Sequence, residues 1–284
     1  MPELPEVETV RRGLESWCLN RKITKVETLH HRATNPRSIS PLTELKGATI
    51  SKVSRRGKYL WLNLDRPYAL VAHLGMSGQF RVQDSTIESE KHLRVRLTLD
   101  TKQELRYIDQ RTFGWLAISE FDGAVPKLVS KVAPDIFEES FDRTFVKALF
   151  RSKKSEVKRA LLDQSVMSGV GNIYADESLW RAKIHPSTPC NEISPQKLES
   201  LFRSVESVMS KALVEGGTSF DSLYINVNGE SGYFAHSLEV YGRTGEPCTR
   251  CGTPIERIVI AARSSHFCPH CQRLERFLSE ITPR

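Results

Sequence analysis

Hydrophobic positions in the first 125 residues recur mainly with a period of two. Leu60, Leu62 and Leu64 share one face of a strand. Leu93, Val95, Leu97 and Leu99 share one face of another, opposite Arg94, Arg96 and Thr98. Successive side chains of a strand point to opposite faces, so such alternation marks strands with one side buried. The same reading predicts strands over 22–29, 48–54, 69–74, 78–83, 103–109 and 113–118. Many short strands separated by turn residues imply an antiparallel sandwich or barrel. Ahead of them, Val7, Val10, Leu14 and Trp17 fall on one helical face, with Arg11, Arg12 and Glu15 on the other. That spacing predicts a helix over 6–17. Gly57 separates two strand patterns in Arg55-Arg56-Gly57-Lys58, so Lys58 is expected at a hairpin tip or just past it.

Beyond residue 125 the period lengthens. Pro126 and Pro134 bracket a predicted linker, and helices follow over 141–151, 155–164, 172–182 and 194–215. In the last of these, Leu198, Leu201, Phe202, Val205, Val208, Met209 and Leu213 form an amphipathic stripe, which reads as core packing. No internal repeat or low-complexity tract interrupts the chain. The expected fold is α+β: an N-terminal antiparallel β-sandwich with flanking helices over 1–125, a linker over 126–140, a helical domain over 141–239 and a small cysteine-bearing domain over 240–284.

Composition narrows the class. The chain has 284 residues, enough for two domains with cores of their own. Hydrophobic content of 39% and charged content of 26% describe a soluble globular protein. No apolar run approaches the roughly 18 residues that span a bilayer. The start MPELPEVE, with two prolines and three glutamates, is no secretory signal, so a cytoplasmic protein is expected. The net charge of +7 favours a polyanionic partner, and its distribution says more. Residues 1–60 hold twelve Lys and Arg against six Glu, a net +6 in the first fifth of the chain.

Of the six cysteines, Cys18 and Cys190 stand alone and read as ordinary thiols. The other four form Cys248-x2-Cys251-x16-Cys268-x2-Cys271. Two CxxC knuckles at this separation can set four thiolates around one tetrahedral Zn²⁺. Gly252 after the first knuckle and Pro269 inside the second supply turn chemistry. Four protein ligands close the site, so the zinc is expected to be structural. Between the knuckles lie Arg257 and Arg263, and a long Arg at the tip of a zinc-held hairpin can reach a groove or a phosphate.

The N-terminus carries a second candidate chemistry. Met1 precedes proline, so an aminopeptidase is expected to expose Pro2 as a secondary amine. An α-amino group titrates near 8, so at pH 7 roughly a tenth of it is neutral, against roughly one in two thousand for an ordinary lysine. Such an amine can attack an electrophilic sugar carbon without a dedicated base. Glu3 and Glu6 beside it can serve acid–base steps. Prolines and first-turn glutamates also suit a plain helix start.

The string MPELPEVETVRRGL closely resembles the start of the bacterial formamidopyrimidine-DNA glycosylases, also called 8-oxoguanine DNA glycosylases. The resemblance continues in RRGKYL (55–60), AHLGMSGQF (72–80), Asp109-Gln110-Arg111-Thr112-Phe113-Gly114, LLDQSVMSGVGNIYADE (161–177), GYF (232–234) and VYGRTGEPCTRCGTPIER through CPHCQ (240–272). It implies a C-terminal helical domain with a helix–two-turn–helix motif and a zinc-finger β-hairpin. It implies damaged double-stranded DNA as the partner and one structural Zn²⁺; a DNA-wrapping monomer is the simplest expectation, and the lack of a long apolar run predicts no membrane partner. The implied activity is bifunctional: excision of oxidised purines (8-oxoguanine, formamidopyrimidines) through an N-terminal proline Schiff base, then strand cleavage by β,δ-elimination.

Residue by residue, Pro2 matches the family's nucleophile, Glu3 its general acid/base, Glu6 a supporting carboxylate and Lys58 its hairpin lysine beside the lesion. His73 matches a phosphate-contacting histidine. Met76, Arg111 and Phe113 match the trio that fills the hole left by an everted base and faces the orphan cytosine. Asn172 and Tyr174 fall in the helix–two-turn–helix, and Arg263 matches the zinc-finger arginine. The physics agrees: a base inside a duplex must be flipped out before it is attacked. Apolar wedges then occupy the gap, and an Arg offers planar donors to the widowed base. Gly169-Val170-Gly171-Asn172 opens a helix whose N–H groups can cradle a phosphate.

Two departures stand out. Ser77 sits where some members carry glutamate, and Asp221 follows Gly217-Thr218-Ser219-Phe220 where some carry lysine. Segment 216–231 is expected to be the loop over the flipped base. The endonuclease VIII-like relatives, which take oxidised pyrimidines, typically begin Pro-Glu-Gly-Pro. Leu4 and the Met76/Arg111/Phe113 set argue against that branch.

Overall fold

Glu3 opens the first helix, α1 (Leu4–Cys18), in a computed structural model that describes residues 2–217 and 237–274. Glu3 is the N-cap, and the Glu6 carboxylate accepts its backbone N–H at 2.8 Å, closing a capping box. Pro5 lies in the first turn, where a missing N–H costs nothing. Val7, Val10, Leu14 and Cys18 form the buried face. Trp17, expected on that face, is 43% exposed. Cys18, four residues after Leu14, takes its place, as a 3.6-residue turn dictates.

The chain divides into two compact units, Met1–Glu138 with Met209–Ser237, and Glu139–Val208 with Leu238–Arg284. The first is built on β1 (Ile23–Thr28), β2 (Ile50–Arg56), β3 (Tyr59–Leu64), β4 (Tyr68–His73), β5 (Gly78–Asp84), β6 (Leu93–Leu99), β7 (Gln103–Asp109), β8 (Trp115–Asp122) and the short β9 (Val125–Pro126). They form two antiparallel sheets, ordered β1-β6-β7-β5 and β2-β3-β4-β8-β9. Leu60, Leu62, Leu70, Ala72, Leu116 and Ile118 of one sheet meet Ile23, Phe80, Val95, Leu97, Leu105 and Tyr107 of the other in a core that α1 also joins. Each Leu, Ile, Val or Phe among them contributes about 1.5–3 kcal/mol by leaving water. Trp61, Ala69 and Val71 point the other way and pack with Val129, so β3 and β4 are buried on both faces.

Two crossovers matter for the site. The loop 74–77 carries the chain from β4 to β5, and the loop 110–114 returns it from β7 to β8. Their ends are paired on both sides, His73 with Trp115 and Gly78 with Asp109. The two loops therefore run side by side between the sheets.

The second unit holds α2 (Arg143–Ser152), α3 (Val157–Leu161), α4 (Asn172–Ala182) and a hairpin of β10 (Glu256–Ile260) and β11 (Arg263–Phe267). Asp142 caps α2 by accepting the Phe145 N–H at 2.9 Å. α3 is shorter than its pattern predicts: the Asp163 carboxylate accepts the Ser165 N–H at 3.1 Å and turns the chain early. α5 (Pro195–Val214) runs across the division. Leu198, Leu201, Phe202, Val205 and Met209 of its stripe are buried. It ends at Gly216 in the left-handed region (φ 76°), with the Gly217 N–H donating to the Ala212 carbonyl at 2.8 Å. Among the described residues, no helix is long and apolar enough to cross a membrane.

Candidate active site and metal centre

Pro2, Glu3 and Glu6 are buried together at the start of α1. Gly217 closes on them. A Cβ on Gly217 would stand 3.0 Å from a Glu6 oxygen, and its φ of 84° already favours glycine. The expected lesion loop thus begins against Glu6, but residues 218–236, including Asp221 and the Gly-Tyr-Phe string, lie outside the described residues.

Lys58 is the second residue of a two-residue turn between β2 and β3. Gly57 takes the first position with φ 54°, as a type II′ hairpin turn requires. The turn is pinned from outside. The Asp135 carboxylate, fully buried, accepts the Gly57 N–H at 3.0 Å and the Arg55 guanidinium at 2.6 Å. Lys58 itself is only 7% exposed. Beside it, Tyr59, His73 and Trp115 stand in register on three adjacent strands. Their rings are 4.8 Å (Tyr59–His73) and 5.9 Å (His73–Trp115) apart. The His73 Nδ1 accepts the Gly75 N–H at 3.2 Å, which assigns the ring proton to Nε2. Burial, and then the Lys58 charge, lower the His73 pKa to about 4. His73 is therefore a neutral donor at physiological pH.

Met76 and Phe113 are 42% and 56% exposed, and Arg111 is exposed beside them. The Arg111 guanidinium carbon lies 5.0 Å from the centre of the Phe113 ring. Large side chains held out in water on loops that run together suit insertion into a partner better than core packing.

In the second unit Asn172 is the first residue of α4, after Gly171 as N-cap. Gln164 braces the preceding turn, accepting the Gly169 N–H at 2.9 Å and donating to the Leu162 and Val170 carbonyls at 3.0 and 2.9 Å. The Asn172 Oδ1 is buried without a hydrogen-bond partner. Tyr174 is fully buried, so its ring packs behind the helix start and presents no open face. Arg263 begins β11 directly after the turn Ala261-Ala262, both left-handed at φ 49° and 59°. Behind this hairpin, Lys158 and Asp176 form a fully buried ion pair at 2.7 Å. Asp176 also accepts the His266 N–H at 2.8 Å, and Lys158 donates to the Ser264 carbonyl at 2.7 Å.

The sulfurs of Cys248, Cys251, Cys268 and Cys271 lie within 4.8 Å of one another. A tetrahedral zinc with bonds near 2.3 Å spaces its sulfurs about 3.8 Å apart, so the set fits one Zn²⁺. The Trp180 indole N–H points at the Cys248 sulfur (3.4 Å) and the Cys271 N–H at that of Cys268 (3.4 Å), contacts that favour thiolates. Arg250 stacks 4.0 Å above the Trp180 ring. Burial pushes the other two thiols up, Cys18 to about 12 and Cys190 to about 11, so both stay protonated and inert.

Three family models match in chain order: the formamidopyrimidine-DNA glycosylase N-terminal domain over residues 1–116, the H2TH domain of the same glycosylases over 132–222, and a zinc finger found in FPG and IleRS over 245–274. Formamidopyrimidine-DNA glycosylases from Rhodococcus erythropolis and Thermobifida fusca are 52% and 50% identical, covering 97% and 96% of this chain and 98% and 97% of their own. The chain belongs to the formamidopyrimidine-DNA glycosylase family. Crystal structures of the Lactococcus lactis Fpg with abasic-site DNA and with Fapy-dG DNA both align at a TM-score of 0.86. Each is 36% identical and covers 96% of this chain and 100% of its own. The α+β fold and the structural zinc site expected from the sequence agree with this family.

Part of the basic charge of the N-terminal segment is neutralised within the fold. Arg11 and Arg12 pair with Glu8 at 2.9 Å, Arg55 with Glu8 and Asp135, Arg56 with Glu138 and Lys25 with Glu27. At least these five of the twelve cations are tied to carboxylates of the first unit. Residues that no sequence pattern singles out are Asp135, Gln164, Lys158, Asp176 and Trp180. The partners that give most of them their role lie far away along the chain, so local spacing does not betray them.

Proposed function

We propose that this chain is a bifunctional DNA glycosylase of base-excision repair, removing oxidised purines from duplex DNA and then cutting the strand. The observation that carries the reading is the placement of Pro2 beside Glu3 and Glu6 at the positive end of α1. The solved relatives are complexes with abasic-site and Fapy-dG DNA, which supports damaged DNA as the substrate here. The Met1–Pro2 peptide bond ties up the proline nitrogen, so the reading requires its removal.

In the proposed course, basic side chains dock the duplex through phosphates. The neutral His73 Nε2–H, the amide of Asn172 at the start of α4, and Arg263 hold backbone phosphates around the lesion. Tyr174 supports Asn172 from within the unit. Met76, Arg111 and Phe113 enter the stack, Arg111 facing the widowed base, at an unstacking cost of a few kcal/mol. The neutral Pro2 amine forms a bond to C1′ as the bond to the base breaks, and Glu3 handles the accompanying protons. Glu6 holds the Glu3 backbone, and Lys58 neutralises the phosphate next to the reacting sugar. The C1′–O4′ bond then opens, its electron pair leaving with O4′, which takes a proton, and the resulting ring-opened iminium loses the 3′ and then the 5′ phosphate by successive eliminations. The zinc braces the hairpin of Arg263 and takes no part in chemistry.

The functional division we propose follows the sequence: 1–125 for chemistry, 126–140 as connector, 141–239 and 240–284 for binding. We place the protein as a monomer in the bacterial cytoplasm, on the nucleoid. Borohydride trapping tests the mechanism. Processed protein is expected to cross-link to duplex holding 8-oxoguanine, and Pro2→Gly to cross-link much less. Absence of trapping in the wild type would overturn the Schiff base. A clear preference for thymine glycol over 8-oxoguanine would overturn the substrate class.

A further inference from the structure

A buried carboxylate ties together the two loops that carry the wedge residues. Asp109 ends β7 and is 1% exposed. One of its oxygens accepts the Ser77 hydroxyl at 2.6 Å and the Arg111 N–H at 3.2 Å. The other accepts the Gly114 N–H at 2.8 Å. The Ser77 oxygen in turn accepts the Arg111 N–H at 3.0 Å. Among the described residues no cation forms an ion pair with Asp109. Its two oxygens are met by hydroxyl and backbone donors from the loops on either side of it. A buried carboxylate held in this way fixes geometry, because every donor lost leaves a buried polar atom unsatisfied.

The backbones of the two loops also touch. A Cβ on Gly75 (φ 63°) would stand 2.5 Å from the Phe113 carbonyl carbon. Thr112, between Arg111 and Phe113, has φ 54°, a left-handed conformation that β-branched residues rarely adopt. Such a residue persists only where its surroundings over-determine it. The Asp109 bonds to Arg111 on one side of Thr112 and Gly114 on the other provide that constraint.

We infer that Asp109, acting with Ser77, is a positioning pair that presets Met76, Arg111 and Phe113 as one rigid wedge and thereby sets how strictly the enzyme reads the base opposite the lesion. This rests on the proposed role of Arg111. The short Ser77 hydroxyl bridges the Asp109 carboxylate and the Arg111 amide. Arg111 can discriminate the opposing base only if its guanidinium is held in place, since a mobile fork offers donors to any base. Preorganisation therefore shows in selectivity more than in chemistry at Pro2.

The test is the ratio of kcat/KM for 8-oxoguanine opposite cytosine to that for 8-oxoguanine opposite adenine. Loss of folded enzyme scales both rates equally, so the ratio ignores a purely structural effect. Ser77→Ala is expected to lower the ratio by about three- to tenfold, as loss of one buried hydrogen bond would. Asp109→Asn, which turns an amide N–H₂ toward a donor, is expected to lower it further toward the value of Arg111→Ala. Ser77→Thr, which keeps the hydroxyl, is expected to retain it. Wild-type ratios in Ser77→Ala and Asp109→Asn would overturn the inference. If Asp109→Asn does not fold, Ser77→Ala decides alone. A wild type that excises without regard to the opposing base would overturn both the Arg111 role and this inference. A wild type that excises nothing would instead overturn the proposed function.

Discussion

Acid is expected to destabilise the first unit through His73. Burial between Tyr59 and Trp115, with the Lys58 charge adding to it, holds the folded imidazole neutral down to about 4. In the unfolded chain a histidine titrates near 6.5. Between those values the unfolded state binds a proton that the folded state refuses. Stability is therefore intact above about pH 6.5 and is lost as pH falls toward the folded value. A window of that width is worth about 3 kcal/mol in full, and about 2 kcal/mol of it disappears between pH 7 and pH 5. His73→Gln keeps a donor and an acceptor at similar reach but cannot ionise. Urea unfolding at pH 7, 6 and 5, followed by tryptophan fluorescence, should show the wild type losing about 2 kcal/mol more than the variant. Titrating carboxylates act in both proteins and cancel in the difference. Parallel pH profiles, or a nuclear magnetic resonance titration placing His73 near 6.5, would refute the reasoning and with it the neutral-donor role.

Further expectations concern the scaffold. Lys158→Met strands the Asp176 carboxylate inside the second unit and should cost about 3–5 kcal/mol in chemical denaturation; a loss under about 1 kcal/mol would mean that water reaches the pair. Stripping the metal with a strong chelator should change Trp180 emission, because its N–H contact with Cys248 and its stacking with Arg250 depend on the closed site. One equivalent of Zn²⁺ should restore the signal, and Trp180→Phe should abolish the change. Gly75→Ala places a Cβ against the Phe113 backbone at a positive φ, so it should destabilise the first unit by about 2 kcal/mol or more on thermal melting.

Local order decides how much of this was legible. The period-two runs at 60–64 and 93–99, the stripe of α5 and the body of α1 are set by neighbours two to four residues apart, so they could be read directly, although α1 begins two residues before the helix that its apolar pattern predicts. So could the four cysteines, whose spacing is itself the geometry of two knuckles, and the hairpin at Gly57, whose turn type demands a residue without a side chain. Tertiary structure alone decided which loops meet. Ser77 and Asp109 are 32 residues apart and Gly57 and Asp135 are 78 apart, yet each pair shares a hydrogen bond. It also decided that Arg55 and Arg56 face carboxylates some 80 residues away, and that Tyr174 is buried. A side chain's hydrogen-bond partners depend on where whole sheets and loops come to rest, and a one-dimensional pattern holds no record of that distance.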